Sequence, residues 1–149
     1  MNIIRRYWRI IFPLFFVILI LSFSARNGDA SDAESAGFAA LFGLSNEVAR
    51  KLAHLFLFGA LGYSCTSFIK GLHPVSFPRY TQVFYPIIFT TIYGALDEVH
   101  QLTVVGRNAS AGDVLVDTLA GFGGVLIYII IFCLYRLWRI RRIQNSFEQ

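Results

Sequence analysis

The sequence predicts an all-α integral membrane protein, a four-helix bundle with both termini in the cytoplasm. Three observations carry that expectation. Hydrophobic residues make up 56% of the 149 and charged residues only 15%. A soluble domain usually holds about 45–50% apolar and about 25% charged residues, so this excess is too large for one small core. Apolar residues fall into four runs, and the length leaves room for about four spans of roughly 20 residues with short connections. The basic residues gather at one set of run ends. With 16% aromatics and low charge the chain is not disordered. Residues 1–149 read as one domain, with spans near 7–24, 50–69, 82–103 and 112–135.

The first run, Ile10 to Phe23, follows Arg5, Arg6 and Arg9 and precedes Ser22-Phe23-Ser24-Ala25. That resembles a signal peptide with a small-residue cleavage site, but the run is at the long end for such a segment, which favours an uncleaved helix. Pro13 lies in its first turns, where a helix tolerates proline best. The second run is Leu52 to Ile69. Ser45 or Asn46 can cap its helix, and Glu47 precedes Lys51 by four residues, a favourable helical pair. The third run begins near Val83, stays apolar to Leu96 and continues through a polar patch to Val105. The fourth is Val114 to Leu134, preceded by Ser110-Ala111-Gly112-Asp113, which has the form of a capping box with Asp113 in the acidic position. Gly59, Gly62, Gly94, Ala95, Ala120 and Gly124 mark expected packing faces, since small residues let backbones approach in lipid.

Charge sets the topology. Arg5, Arg6, Arg9, Lys70, Arg79, Arg136, Arg139, Arg141 and Arg142 all fall on one side of a four-span chain. Only Arg26, Arg50, Lys51 and Arg107 fall on the other, so the positive-inside rule puts both termini in the cytoplasm. Acidic residues segregate oppositely, with Glu148 alone on the inner side. Tyr7, Trp8, Tyr80, Tyr85, Tyr135 and Trp138 sit near the inner ends, where amphipathic rings favour the headgroup layer. Cys65 and Cys133 form no disulfide framework and read as reduced packing residues.

The informative residues are ionisable groups near the outer ends. His54, Asp97, Glu98 and Asp117 would share a depth just below the outer surface, under Arg50, Lys51, Arg107 and Asp113. Spacing of three or four places Arg50 with His54, Asp97 with His100 and Gln101, and Asp113 with Asp117 on shared helix faces. A charge at the bilayer centre costs at least about 2.5–3.5 kcal/mol on insertion scales, so such groups need partners or water, and an outward polar pocket follows. Plainer roles compete. Glu47 and Lys51 can simply solvate a helix end, Arg26, Asp29, Asp32 and Glu34 a loop, and Arg107 can form structural ion pairs with Asp97, Glu98 and Asp113. His73 and His100 read as interfacial.

Three stretches together resemble the VanZ-like family. They are Lys51-Leu-Ala-His54-Leu-Phe-Leu-Phe-Gly59, Asp97-Glu98-Val-His-Gln101, and Gly106-Arg107-Asn-Ala-Ser110-Ala-Gly-Asp113-Val-Leu-Val-Asp117 with Gly121. The likeness covers residues 20–125. It implies a bacterial inner-membrane protein associated with teicoplanin resistance, and no particular reaction.

Three functions compete. In the first, the pocket binds the polar head of a membrane lipid, a lipid-linked wall precursor or a lipoglycopeptide. Its ligand-binding residues are then Arg50, Lys51, His54, Asp97, Glu98, Gln101, Arg107, Asp113 and Asp117, with the cations on phosphate. In the second, an intramembrane enzyme uses His54, Glu98 or Asp97 as acid or base, or holds a divalent ion on Asp97, Glu98, Asp117 and His54. No HExxH or GxSxG supports it. The third, a proton-coupled transporter, ranks last because the inner halves offer little beyond Ser64, Thr66, Thr90 and Thr91. No cofactor, resident metal or nucleic-acid partner is expected, and the sequence leaves catalysis and oligomeric state open.

Cysteines placed at Ser35 and Ser146, in a background lacking Cys65 and Cys133, should label from outside and inside respectively. Labelling of both from one side, or removal of residues 1–24 by signal peptidase, would overturn the four-span topology.

Overall fold

The computed structural model describes residues 8–26, 36, 37, 39–72, 80–107 and 109–146. Among these residues the chain is helical, with no strand. The 3-10 turn Trp8–Ile10 leads into α1 (Ile11–Ser24), followed by α2 (Asn46–Leu72), α3 (Tyr80–Gln101) and α4 (Ala111–Asn145). Two of these, α2 and α4, are long and apolar enough to cross a membrane; Trp8–Ser24 is a shorter apolar helix. The expected features at Arg5, Arg6, Tyr7, Asp29, Asp32, Glu34, His73, Arg79 and Glu148 lie outside the described residues.

Side-chain bridges fix the direction of each helix. Arg9 Nη1 donates to the Ser67 carbonyl at 3.3 Å, joining the start of the first helix to the end of α2. The Lys70 ammonium lies 5.2 Å over the Phe132 ring, joining that end to the far half of α4. Tyr93 Oη donates to the Val17 carbonyl at 2.7 Å, tying α3 to α1. Consecutive helices therefore run in opposite directions. Ser24, Asn46, Gln101 and Ala111 mark one end, and Trp8, Leu72 and Tyr80 the other.

Capping explains where the helices begin. The Val48 N–H donates to Ser45 Oγ at 3.3 Å, so Ser45 caps α2. The expected Glu47–Lys51 pair forms at 2.7 Å on the exposed face. Ser110 is extended at φ −136° and accepts from the Gly112 N–H, so α4 starts at Ala111. The capping box is only half formed as expected. Asp113 does not take the Ser110 N–H, which donates instead to Glu98 Oε2 at 2.7 Å.

α2 and the start of α3 extend a few residues beyond the expected spans 50–69 and 82–103, and three further differences have clear causes. α3 ends at Gln101, two residues early, because Thr103 and Val104 close tight turns onto the His100 and Gln101 carbonyls and Gly106 takes φ 78°. α4 runs ten residues past the expected span end at 135 because nothing stops it: residues 136–145 hold no glycine or proline. Its Arg residues there alternate with exposed Leu137, Trp138, Ile140 and Ile143. The stretch read as a polar loop also holds helical residues 36, 37 and 39–42. They end at Gly43, φ 65°, where the Leu44 N–H returns to the Ala39 carbonyl as in a Schellman close.

The centre of the molecule is the crossing of α2 with α4, and it is a backbone contact. A Cβ on Gly62 would fall on the Gly121 carbonyl, and one on Gly124 would fall on the Gly59 carbonyl. A Cβ on Gly121 would meet the Thr90 hydroxyl, so α3 closes on the same spot. Ala95, expected at a packing face, is exposed; Gly94 alone does that work on α3. Cys65 is buried in the core with Ile20, Leu57, Phe58, Leu61 and Ala120, whereas Cys133 is exposed and packs against nothing within the chain's core.

α3 is built inside out. Its exposed stripe is Phe84, Ile88, Ile92, Leu96 and Val99, while Gln82, Thr90, Asp97, Glu98 and Gln101 are buried. Pro86, also buried, lacks the N–H that would bond the Gln82 carbonyl. The Thr90 and Thr91 hydroxyls bond the Pro86 and Ile87 carbonyls at 3.0 and 2.8 Å.

Gly124→Ala should lower stability in detergent by about 1–3 kcal/mol, the cost of overpacking a tight contact. Gly123→Ala, where a Cβ meets nothing within 4 Å, should be neutral or stabilising. Thermal unfolding of the two variants side by side checks this; equal midpoints would remove the glycine crossing as the packing constraint.

Candidate functional site

At the end marked by Asn46 and Ala111, the helices enclose a cavity of about 140 Å³. A water takes about 30 Å³ of liquid, so there is room for several waters or a compact polar group. Its walls come from three segments. α2 supplies Arg50, Lys51 and His54; α3 and its following turn supply Glu98, Gln101, Gly106 and Arg107; α4 supplies Asp113, Val116 and Asp117.

Each side chain is placed by a local cause. His54 lies two turns beyond the Ser45 cap, and its ring stacks on Phe58 with centroids 6.0 Å apart. Phe58 is fully buried, so it fixes the imidazole from below. His54 Nδ1 approaches Asp117 Oδ1 to 3.6 Å, too long for a hydrogen bond and short enough for a charge contact or a bridging water. Asp117 is 1% exposed. Room for it comes from Gly94, where a Cβ would stand 3.2 Å from Asp117 Cβ. Glu98 is held by the Ser110 N–H across the α3–α4 turn. Arg107 follows Gly106, whose left-handed conformation turns the chain back, and its Nη2 donates to the Phe23 carbonyl at 3.3 Å. That bond ties the end of α1 to the site.

Eight of the nine residues expected to bind a ligand therefore line one cavity: Arg50, Lys51, His54, Glu98, Gln101, Arg107, Asp113 and Asp117. Asp97 does not. It is buried behind the wall, where its Oδ2 accepts from Gln101 Nε2 at 2.8 Å. Asp97 thus orients Gln101 and does not face the cavity. Asp97 Oδ1 and Asp117 Oδ2 are both buried with no hydrogen-bond partner among the described residues. Unpartnered buried oxygens cost about 1–3 kcal/mol each, more when charged. Glu98 and Asp97 are both buried within the bundle. His100 is half-buried, away from the cavity wall.

Sequence reasoning missed the lining residues Gly106 and Val116 and four supporting groups: Gly94, Phe58, the Ser110 amide and the Phe23 carbonyl. Gly94 and Phe58 carried a signal in their helical spacing, since Phe58 is four residues after His54 and Gly94 three before Asp97. The two backbone groups carried none. Among the described residues no three His, Cys, Asp or Glu side chains are grouped closely enough to hold a metal ion, so the metal-assisted form of the enzyme reading lacks a donor set.

A family model for VanZ/LLP1 matches residues 8–133, nearly the whole chain. The chain belongs to the VanZ/LLP1 family. No curated protein and no solved structure matches it. The VanZ/LLP1 match includes all four helices up to Cys133 and every residue that lines the cavity.

Glu98→Gln keeps an oxygen for the Ser110 N–H, whereas Glu98→Ala leaves that donor without its acceptor. The Ala variant should lose about 1–3 kcal/mol of stability and fall in membrane abundance, with Gln near wild type. Equal abundance of all three would show that the cap is not what keeps Glu98 in place.

Proposed function

We propose that this VanZ/LLP1 chain is a multi-pass protein of the bacterial cytoplasmic membrane whose outward cavity binds the polar, anionic head of a lipid-linked wall precursor. Four spans, with both termini cytoplasmic, put the cavity on the outer face. The nine-to-four split of basic residues supports that orientation. Occupying the precursor head would change how teicoplanin meets its target, in keeping with the family's association.

One observation carries the reading. Three cationic side chains, Arg50, Lys51 and Arg107, share a small cavity with the buried acceptors Glu98 and Asp117. Arginine presents paired N–H donors that match phosphate oxygens. Carboxylates accept from sugar hydroxyls, and Asp117 Oδ2 has acceptor capacity not used among the described residues. A ligand bearing both phosphate and sugar matches both halves of the lining.

The test uses purified protein in neutral detergent and a polyprenyl diphosphate carrying the wall disaccharide-peptide. The probe should raise the unfolding temperature of the wild type, and Arg50→Gln should bind it about tenfold or more weakly, the loss of one charge-assisted hydrogen bond. No shift at any concentration, or equal binding by the variant, would overturn the proposal. Turnover of the probe would replace binding with catalysis at the same cavity.

A further inference from the structure

A second site runs along the flank of α2, apart from the polar cavity. α1 and α4 flank α2, leaving a long groove of about 770 Å³ between them. Its walls are Phe12 and Phe16 on α1, Leu55, Phe56 and Tyr63 on α2, and Leu119 and Ile127 on α4, and its lining is almost wholly apolar. From Leu55 to Ser67 it follows α2 for about 18 Å. It passes the α2–α4 crossing at Gly59 and Gly124, begins at Leu55 beside His54 in the chain, and shares no lining residue with the polar cavity.

The groove ends at Ser67, and there three cations from three segments come together. Arg9 donates to the Ser67 carbonyl itself. Lys70, one turn further along α2, lies over Phe132 of α4. Arg136 follows Phe132 by one helical turn on α4, which puts it on the same face as the ring under Lys70. Gathering like charges costs energy, and the cost is recovered when an anion joins them. A groove wide enough for hydrocarbon that leads to a cationic cluster matches one kind of molecule in shape and in charge.

We infer that the groove between α1 and α4 holds an acyl chain of an anionic phospholipid from the cytoplasmic leaflet, with its phosphate on Arg9, Lys70 and Arg136. The site requires that the chain be embedded in a membrane and is independent of what fills the polar cavity. Basic pockets between helices on the cytoplasmic side suit such head groups, each cation contributing about 1 kcal/mol. The apolar walls hold the chain, and the cations select the head. A neutral lipid of equal chain length gains only the first contribution.

Lipid retention on the purified protein, measured by native mass spectrometry with phosphatidylglycerol or phosphatidylcholine added, tests this. Phosphatidylglycerol should be retained preferentially by the wild type. Lys70→Gln should reduce that preference about fivefold and leave binding of the wall-precursor probe unchanged, which separates this site from the polar cavity. Gly123→Leu fills the groove from a lining position where an added Cβ meets nothing within 4 Å. It should lower retention of both lipids while helix content by circular dichroism stays at the wild-type level. Equal retention of the two lipids by wild type would overturn the inference. So would unchanged retention in Gly123→Leu, or a dimer that this variant converts to monomer with lipid still bound, since the groove would then hold a second copy of the chain.

Discussion

Everything in this molecule is referred to the place where α2 and α4 touch backbone to backbone. Gly62, Gly121 and Gly124 remove the side chains that would hold the helices apart, and Thr90 of α3 settles on the same point. In an apolar surrounding, helices gain little from hiding apolar area from one another, so association rests on close packing. That packing fixes the rotation of each helix. Once Gly62 faces Gly121, His54 two turns before it and Asp117 one turn before Gly121 are bound to face each other. The polar cavity is thus positioned by the glycine crossing beneath it, and the apolar groove is what the same crossing leaves along its flank.

Electrostatics is arranged around this geometry in layers. Glu47 and Lys51 pair in the open, where such contacts are weak. Glu98, Asp97 and Asp117 are nearly or fully buried, and each has a different anchor: a backbone amide, an amide side chain and an imidazole. Burying carboxylates this way is costly unless hydrogen bonds or opposite charges meet them. The anchors cover part of what is required. Asp97 Oδ1 and Asp117 Oδ2 remain without partners among the described residues. A fold selected only for stability would replace such groups with apolar ones, so their presence directs attention to what enters the cavity.

Much of this was legible in the residues. Ser45 and Ser110 announced their caps, Glu47 and Lys51 their pair, and Asp97 and Gln101 a shared face that becomes a hydrogen bond. The apolar runs located the four helices. What the sequence could not convey is rotation about each helix axis and contact across turns. That Glu98 takes the Ser110 amide in place of Asp113 depends on how α3 crosses α4. That Asp97 stands behind the wall and Glu98 in it depends on the same angle. The exposure of Ala95 and Cys133 has this cause too: composition says that a residue can pack, and only the crossing says whether it does. The overrun of α4 had a different source. Hydropathy ended at Leu134, but the helix ends where its backbone hydrogen bonding stops, and no residue there interrupts it.

The inside-out build of α3 bears on how the protein is made. With its buried face carrying Gln82, Thr90, Asp97, Glu98 and Gln101, this helix falls short of the apolarity that α2 and α4 reach on their own. On the four-span reading it cannot settle in lipid as a solitary segment without exposing those groups to hydrocarbon. It needs α4 alongside, whose first amide donor is already matched to Glu98 and whose length supplies the hydrophobic drive for both. On that reading α3 and α4 enter as one hairpin, hinged at Gly106 and clasped by the Glu98–Ser110 bond. On that reading the chain order follows suit: the polar helix is synthesised immediately before the long apolar α4, so its exposure during biogenesis lasts only as long as translation of the next span.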